Sequence, residues 1–229
     1  MNTKETRLQH ELAGLRTRIL VMCAAVGIAL DKSRAALEQG GQEQVAAVLE
    51  GEAAINSLEM EIDEMALTIL ACNQPVAQDL RFVVGSMRMV LDLERIGDEA
   101  ANIADRALIL HEALPAAGMD IVHSLMDMAI ALYNRAVESF RTFDAEKAMA
   151  LCRESEVSGR RDVLAVQRMV DFLCCREEEA SWAPQAGLHG LLACRALNRI
   201  CRRSVNIAEQ TFFIARGENI KHLPAKLSG

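Results

Sequence analysis

Glu94 and Asp98 stand four residues apart in the run Leu91–Ala107, and Glu52 and Asn56 repeat that spacing earlier in the chain. A four-residue step puts both members of a pair on one face of a helix. Pro75 lies between the two pairs, with Asp98 and Glu52 each 23 residues from it and Glu94 and Asn56 each 19. In a helical hairpin turning at Pro75, residues equally far from the turn share a height, so four oxygen-bearing side chains converge. Three carboxylates in so small a space repel one another and raise their pKa values, and a cation relieves that cost. An all-oxygen set suits magnesium, manganese or calcium and also takes iron, whereas zinc prefers nitrogen or sulfur. Spacing leaves a second reading open, a solvated acidic stripe paired with Arg88 or Arg95.

The frame around this acid pair occurs twice. At a shift of 104 residues, Arg95, Ile96, Asn102, Ile103 and Ala104 match Arg199, Ile200, Asn206, Ile207 and Ala208, while Glu94 and Asp98 become Asn198 and Arg202. Gly97 has the small Cys201 as its counterpart, which points to close helix packing there. Five histidines are scattered, and no Glu-x-x-His pair of the ferritin-like kind occurs. His10 and His123 lack the surroundings of a phosphotransfer residue and read as ordinary histidines.

Elements that would position these residues follow from composition and breakers. Of 229 residues about half are hydrophobic but only 3% aromatic, and there are four prolines. That is the make-up of helix–helix cores. Six long helices are expected. They run from about Thr6 to Gln39, Gln42 to Cys72, Val76 to Ala113 and Met119 to Phe143, then from a break near Asp144 to Glu179, and after "ASWAP" to Arg216. Gly217 to Gly229 reads as a loose tail. The stripe Ile55, Leu58, Ile62, Met65 and Ile69 is the single buried face of such a helix. With the repeat, an all-α fold of two pseudo-repeated antiparallel three-helix bundles is expected, residues 1–116 and 117–229.

A net charge of −7 with no basic run argues against nucleic acid. The charged N-terminus argues against a secretory signal, and the apolar run Ile19–Leu30 is too short to cross a bilayer. A cytoplasmic protein is expected. Seven scattered cysteines without a Cys-x-x-Cys pair read as reduced packing residues; a redox role for the vicinal pair Cys174–Cys175 is the lesser reading.

Three segments carry a family likeness. "NQPVAQDLR" (Asn73–Arg81), "DLERIGDEAANIA" (Asp92–Ala104) and "GEAAINSLEMEID" (Gly51–Asp63) resemble the PhoU family of bacterial phosphate-uptake regulators, and "VNIAEQTFFIARGENIKH" (Val205–His222) is similar to its C-terminal ending. The resemblance implies two three-helix bundles and a cytoplasmic regulator between a phosphate ABC transporter, met through its ATPase subunit, and a phosphate-sensing histidine kinase. It also implies multinuclear metal sites on paired Glu/Asp-x-x-x-Asp motifs, one per bundle. Glu94 and Asp98 match one motif and Glu52 with Asn56 the facing one. Asp79, Arg81 and Arg95 belong to the turn and helix motifs, with structural or partner-contact roles.

The second half departs from that pattern. It reads Asn198-Arg199-Ile200-Cys201-Arg202, and the facing positions Glu154 and Ser158 keep one acid. Arg202 is expected to neutralise Glu154 in place of a metal. Metal, of divalent or iron type, is therefore expected in the N-terminal bundle only. Long helices with exposed apolar faces lead to the expectation of a homodimer. A non-enzymatic regulator is the leading reading, since no nucleophile with a base and no phosphate-cradling glycine loop is present. A metal-dependent enzyme (oxidase or phosphohydrolase) and a metal sensor are the alternatives.

Overall fold

Six helices make up the described residues of the computed structural model: α1 (Thr3–Gln39), α2 (Gln42–Asn73), α3 (Ala77–Ala113), α4 (Ala116–Thr142), α5 (Ala145–Cys174) and α6 (Pro184–Arg216). The structure describes the main chain of residues 3–174 and 184–220, and the side chains there except those of residues 3–4, 156–165 and 184. Cys175 and most of "ASWAP" lie outside these residues.

Each break has a local cause. Gly40 has φ +64°, and its N–H donates to the Ala36 carbonyl 2.8 Å away, closing α1 in the left-handed conformation that glycine adopts freely. Gln74 (φ 50°, ψ 57°) ends α2 ahead of Pro75, and Val76 is extended before α3. Pro115, also extended, accepts the first N–H groups of α4 from Gly118 and Met119. After α4 ends on left-handed Phe143, the Asp144 carboxylate caps α5, accepting from the N–H groups of Glu146 and Lys147 at 3.0 Å each. Those amides hold its carboxyl below the usual carboxylate range.

Helices α1, α2 and α3 pack on one another, as do α4, α5 and α6; α3 against α6 and α1 against α4 join the halves. The expected stripe on α2 faces inward, with Ile55, Ile62 and Ile69 buried. One continuous core runs through both bundles, from Leu15, Ile19 and Met22 to Tyr133, Phe140 and Ile200. Tyr133 ties them directly: its hydroxyl donates to the Cys23 carbonyl at 2.6 Å. By length and composition α1 is apolar enough to cross a bilayer, but Ile19, Met22, Val26 and Leu30 are wholly buried inside the protein. The chain after α6 is not loose from its first residue. Gly217 (φ +79°) packs beside Arg81, and Ile220 belongs to the core.

The central pair, α3 and α6, run antiparallel. Asp92 meets Asn206, Glu99 meets Arg199, and Gly85 meets Ile214, so facing positions add to 298 or 299. Equivalent positions in the repeat differ by 104. Gly97 and Cys201 satisfy both relations, so the approximate two-fold axis relating the halves passes between them. Both are buried, and a Cβ on Gly97 would stand 3.0 Å from Ile55 Cδ1. The small residue lets α2 close onto α3 beside the axis.

Candidate metal centre

Glu94 and Asp98 lie on the α2-facing side of α3, both half-buried and hydrogen-bonded to each other. Their facing neighbour on α2 is Glu59. Its carboxyl is raised above the usual range, first by burial, then by the charges of Asp63 and Asp98, with Arg95 opposing. Glu94 is pushed up to about 7 by burial, by the charge and hydrogen bond of Asp98, and by Glu59, again against Arg95. Four carboxylates, in two Glu-x-x-x-Asp pairs on adjacent helices, thus form one repelling group.

The pairing expected from the turn had Glu52 and Asn56 in the place of these α2 acids. Asn56 is exposed, and Glu52, though half-buried, is not among the groups that perturb Glu94. Counting residues from Pro75 places each side chain at the height of its own Cα. Helical side chains lean toward their own N-terminus: away from the turn on α2 and toward it on α3. The α2 partner of Glu94 is therefore nearer the turn in number, Glu59 rather than Asn56. A sequence signal existed, because Glu59 and Asp63 spell the same motif as Glu94 and Asp98.

The donor chemistry fits a hard cation: oxygen ligands only, two rising pKa values, and one exposed arginine as the nearby counter-charge. Among the described residues no group of three or more Asp, Glu, His or Cys side chains is placed to hold a metal ion as it stands. An ion would have to draw the four inward, with Glu59, Asp63, Glu94 and Asp98 as its ligands.

The corresponding face of the second bundle is built from other pairs. Glu154 is not neutralised by Arg202, which is exposed. A fork from Arg135 on α4 holds it, at 2.7 and 2.9 Å, and lowers its carboxyl below the usual range. Arginine prefers such two-pronged contacts, and Arg135 lies on the neighbouring helix within direct reach. The Ser158 side chain lies outside the described residues, and Asn198 is half-buried on α6. Two α6 arginines turn to the other bundle instead. Arg199 grips Glu99 of α3 through two hydrogen bonds, one of 2.7 Å, and Arg203 donates to Asp92 at 3.0 Å.

Asp79 is distant from this centre. With Arg16, Phe82 and Phe143 it lines a cleft of about 590 Å³ at the α1–α3–α6 end. Arg81 packs against Gly217 at the same end.

The PhoU domain model matches residues 19–107 and again 122–211, most of the chain and both bundles. The chain belongs to the PhoU family. It is 31% identical over 234 residues to the phosphate-specific transport system accessory protein PhoU homolog of Pseudomonas putida, covering 99% of this chain and 90% of the relative. The crystal structure of PhoU from Pseudomonas aeruginosa superposes with a TM-score of 0.84 at 30% identity, covering 92% of this chain and 99% of that one. The phosphate transport system regulatory protein PhoU from Streptococcus pneumoniae gives 0.80 at 23% identity over 93% and 99%, a likeness of fold. The two PhoU repeats are the two bundles related by the axis at Gly97 and Cys201.

Proposed function

We propose that this PhoU chain is a non-enzymatic cytoplasmic regulator of phosphate uptake and phosphate-starvation signalling. It would link the ATPase subunit of a phosphate ABC transporter to a phosphate-sensing histidine kinase. A hard or iron-type cation on Glu59, Asp63, Glu94 and Asp98 would be part of its working form, with no counterpart in the C-terminal bundle. Relatives named as accessory proteins of the phosphate-specific transport system support the regulatory role. The observation that carries the reading is the acid quartet between α2 and α3, kept beside a frame whose repeat holds Asn198 and Arg202.

A bound cation would remove the repulsion that raises Glu59 and Glu94, and would bind α2 to α3 more firmly. Such a change in stiffness and surface charge is what a docking regulator can transmit without chemistry of its own. A homodimer belongs to this reading, since Val21 and Ile28 are exposed along the outer face of α1.

The test is affinity purification of the tagged chain from phosphate-replete and phosphate-starved cells. Recovery of the transporter ATPase supports the reading. Its absence in both states, or reproducible phosphoester turnover by the metal-loaded chain, overturns it. Metal analysis with equal occupancy in both bundles would overturn the one-sided cation site.

A further inference from the structure

Helix α2 presents to solvent a face that its own bundle leaves uncovered. Ala46, Leu49, Ala53, Asn56, Met60 and Leu67 are all exposed and, with half-buried Asp63 between the last two, follow one another at heptad spacing. Leu49, Met60 and Leu67 are 42%, 72% and 58% exposed, among the most exposed large apolar side chains described. The seam is about 32 Å long at 1.5 Å per residue. Scattered apolar residues on a surface need no explanation, but a helical seam of this length, interrupted only by Asn56 and Asp63, does.

The flanks of the seam decide what can cover it. Helix α2 carries seven acids (Glu43, Glu50, Glu52, Glu59, Glu61, Asp63, Glu64) and no lysine or arginine. Glu59 borders the seam on the α3 side, as the influence of Asp98 on it shows, and Asp63 adds a carboxylate within the seam itself. Glu61 borders it on the α1 side, where Arg18 of α1 pairs with it. Exposed Glu50 and Glu64 share that side. In a coiled coil these flanking positions choose the partner. A second copy of α2 would set glutamate against glutamate, and an anionic lipid surface would be repelled as well.

We infer that the outer face of α2 is a docking surface for a basic amphipathic helix of a partner protein, with an apolar seam and lysine or arginine on both flanks. Leu49, Met60 and Leu67 supply the buried contacts. The acids on both sides set partner choice and association rate more than affinity. The inference rests on the proposed role as a docking regulator, and adds to it which face is used and what the partner must carry.

The test uses the full chain and two synthetic 21-residue helical peptides, each with leucine at the seam positions, one flanked by lysine and the other by glutamate. Binding is followed by fluorescence anisotropy at rising salt. Saturable, salt-sensitive binding of the lysine-flanked peptide alone is expected. The exposed double variant Met60→Ser/Leu67→Ser should weaken it by roughly tenfold or more. Glu50→Gln/Glu64→Gln should weaken it less and flatten the salt dependence.

Equal binding of both peptides, no binding, or binding untouched by Met60→Ser/Leu67→Ser overturns the inference. So does sedimentation in which that double variant turns a dimer into a monomer, because a second copy then covers the seam. The peptide result is independent of the phosphate system. A chain that binds the peptide but never recovers the transporter ATPase loses the functional reading and keeps the surface.

Discussion

Replacing Glu94 by glutamine should stabilise the chain without metal and destabilise it with metal, relative to wild type. Glutamine keeps the shape of the side chain and removes its charge. In the folded protein Glu94 titrates near 7, above the ordinary value of 4.5, because burial, Asp98 and Glu59 disfavour the carboxylate. A carboxyl whose folded pKa is raised binds its proton more tightly folded than unfolded. Folding is therefore helped below the unfolded value, and that help is lost as pH rises from about 4.5 to about 7. The group is only half-buried, so solvent screening reduces the full linkage energy to on the order of 1 kcal/mol. For a chain of this size that is about 2–4 °C in Tm.

Thermal unfolding followed by circular dichroism in chelator should give Glu94→Gln the higher Tm at pH 8 and no advantage at pH 4.5. Added magnesium or manganese should reverse the order at pH 8. Wild type would gain about 2.7 kcal/mol at a ligand concentration a hundred times Kd, and the variant, one ligand short, would gain less. A lower Tm for Glu94→Gln in chelator at pH 8, or an advantage that persists at pH 4.5, would show that the four carboxylates do not repel as described.

Three further outcomes test the frame. Gly97→Leu should cost about 2–3 kcal/mol by forcing α2 off α3, and adding Ile55→Ala should recover part of it, read as midpoints in urea, because Ile55 fills the space a side chain would need. Arg199→Ala should cost about 2 kcal/mol by stranding Glu99, whose side chain is only 11% exposed, and Glu99→Gln/Arg199→Ala should restore much of that in the same assay. Tyr133→Phe removes one buried hydrogen bond between the bundles and should lower stability by about 1 kcal/mol in chemical denaturation, with no change in metal binding.

How much of this could be read from the sequence depended on how local the cause was. Gly40, Asn73–Pro75, Pro115 and Asp144 ended or began helices for reasons contained in a few residues: a left-handed φ, a missing N–H, a carboxylate over free amides. Glu94 and Asp98 were recognisable because a four-residue step fixes a shared face whatever surrounds it. The facing pair was not, since its register depends on how side chains lean across two helices and on a turn with Gln74 and Ala77 both at positive φ. A shift of seven residues, about two turns, separates Glu52 and Asn56 from Glu59 and Asp63. The partner of Glu154 was hidden in the same way. Nothing in the order of residues says that Arg135 reaches across from α4, or that Arg199 and Arg203 turn away toward α3.

The repeat explains why one half can lose its acids without losing the fold. Ile96, Ile103, Ile200 and Ile207, matched across the repeat, are all wholly buried in the one core that both bundles share. Glu94, Asp98, Asn198 and Arg202 lie outside that core, half-buried or exposed, and their packing duties are slight. Around the axis the charges serve joining instead. Glu99 would have Arg203 as its counterpart in a perfect repeat, and Arg199 would have Arg95. In the molecule Arg199 reaches Glu99, while Arg203 turns to Asp92 and Arg95 stays exposed beside the acids. The chain has thus spent its symmetry unevenly: arginines of the second half fasten the bundles together, and acids of the first half are left unbalanced, which is the electrostatic condition for holding a cation on one side only.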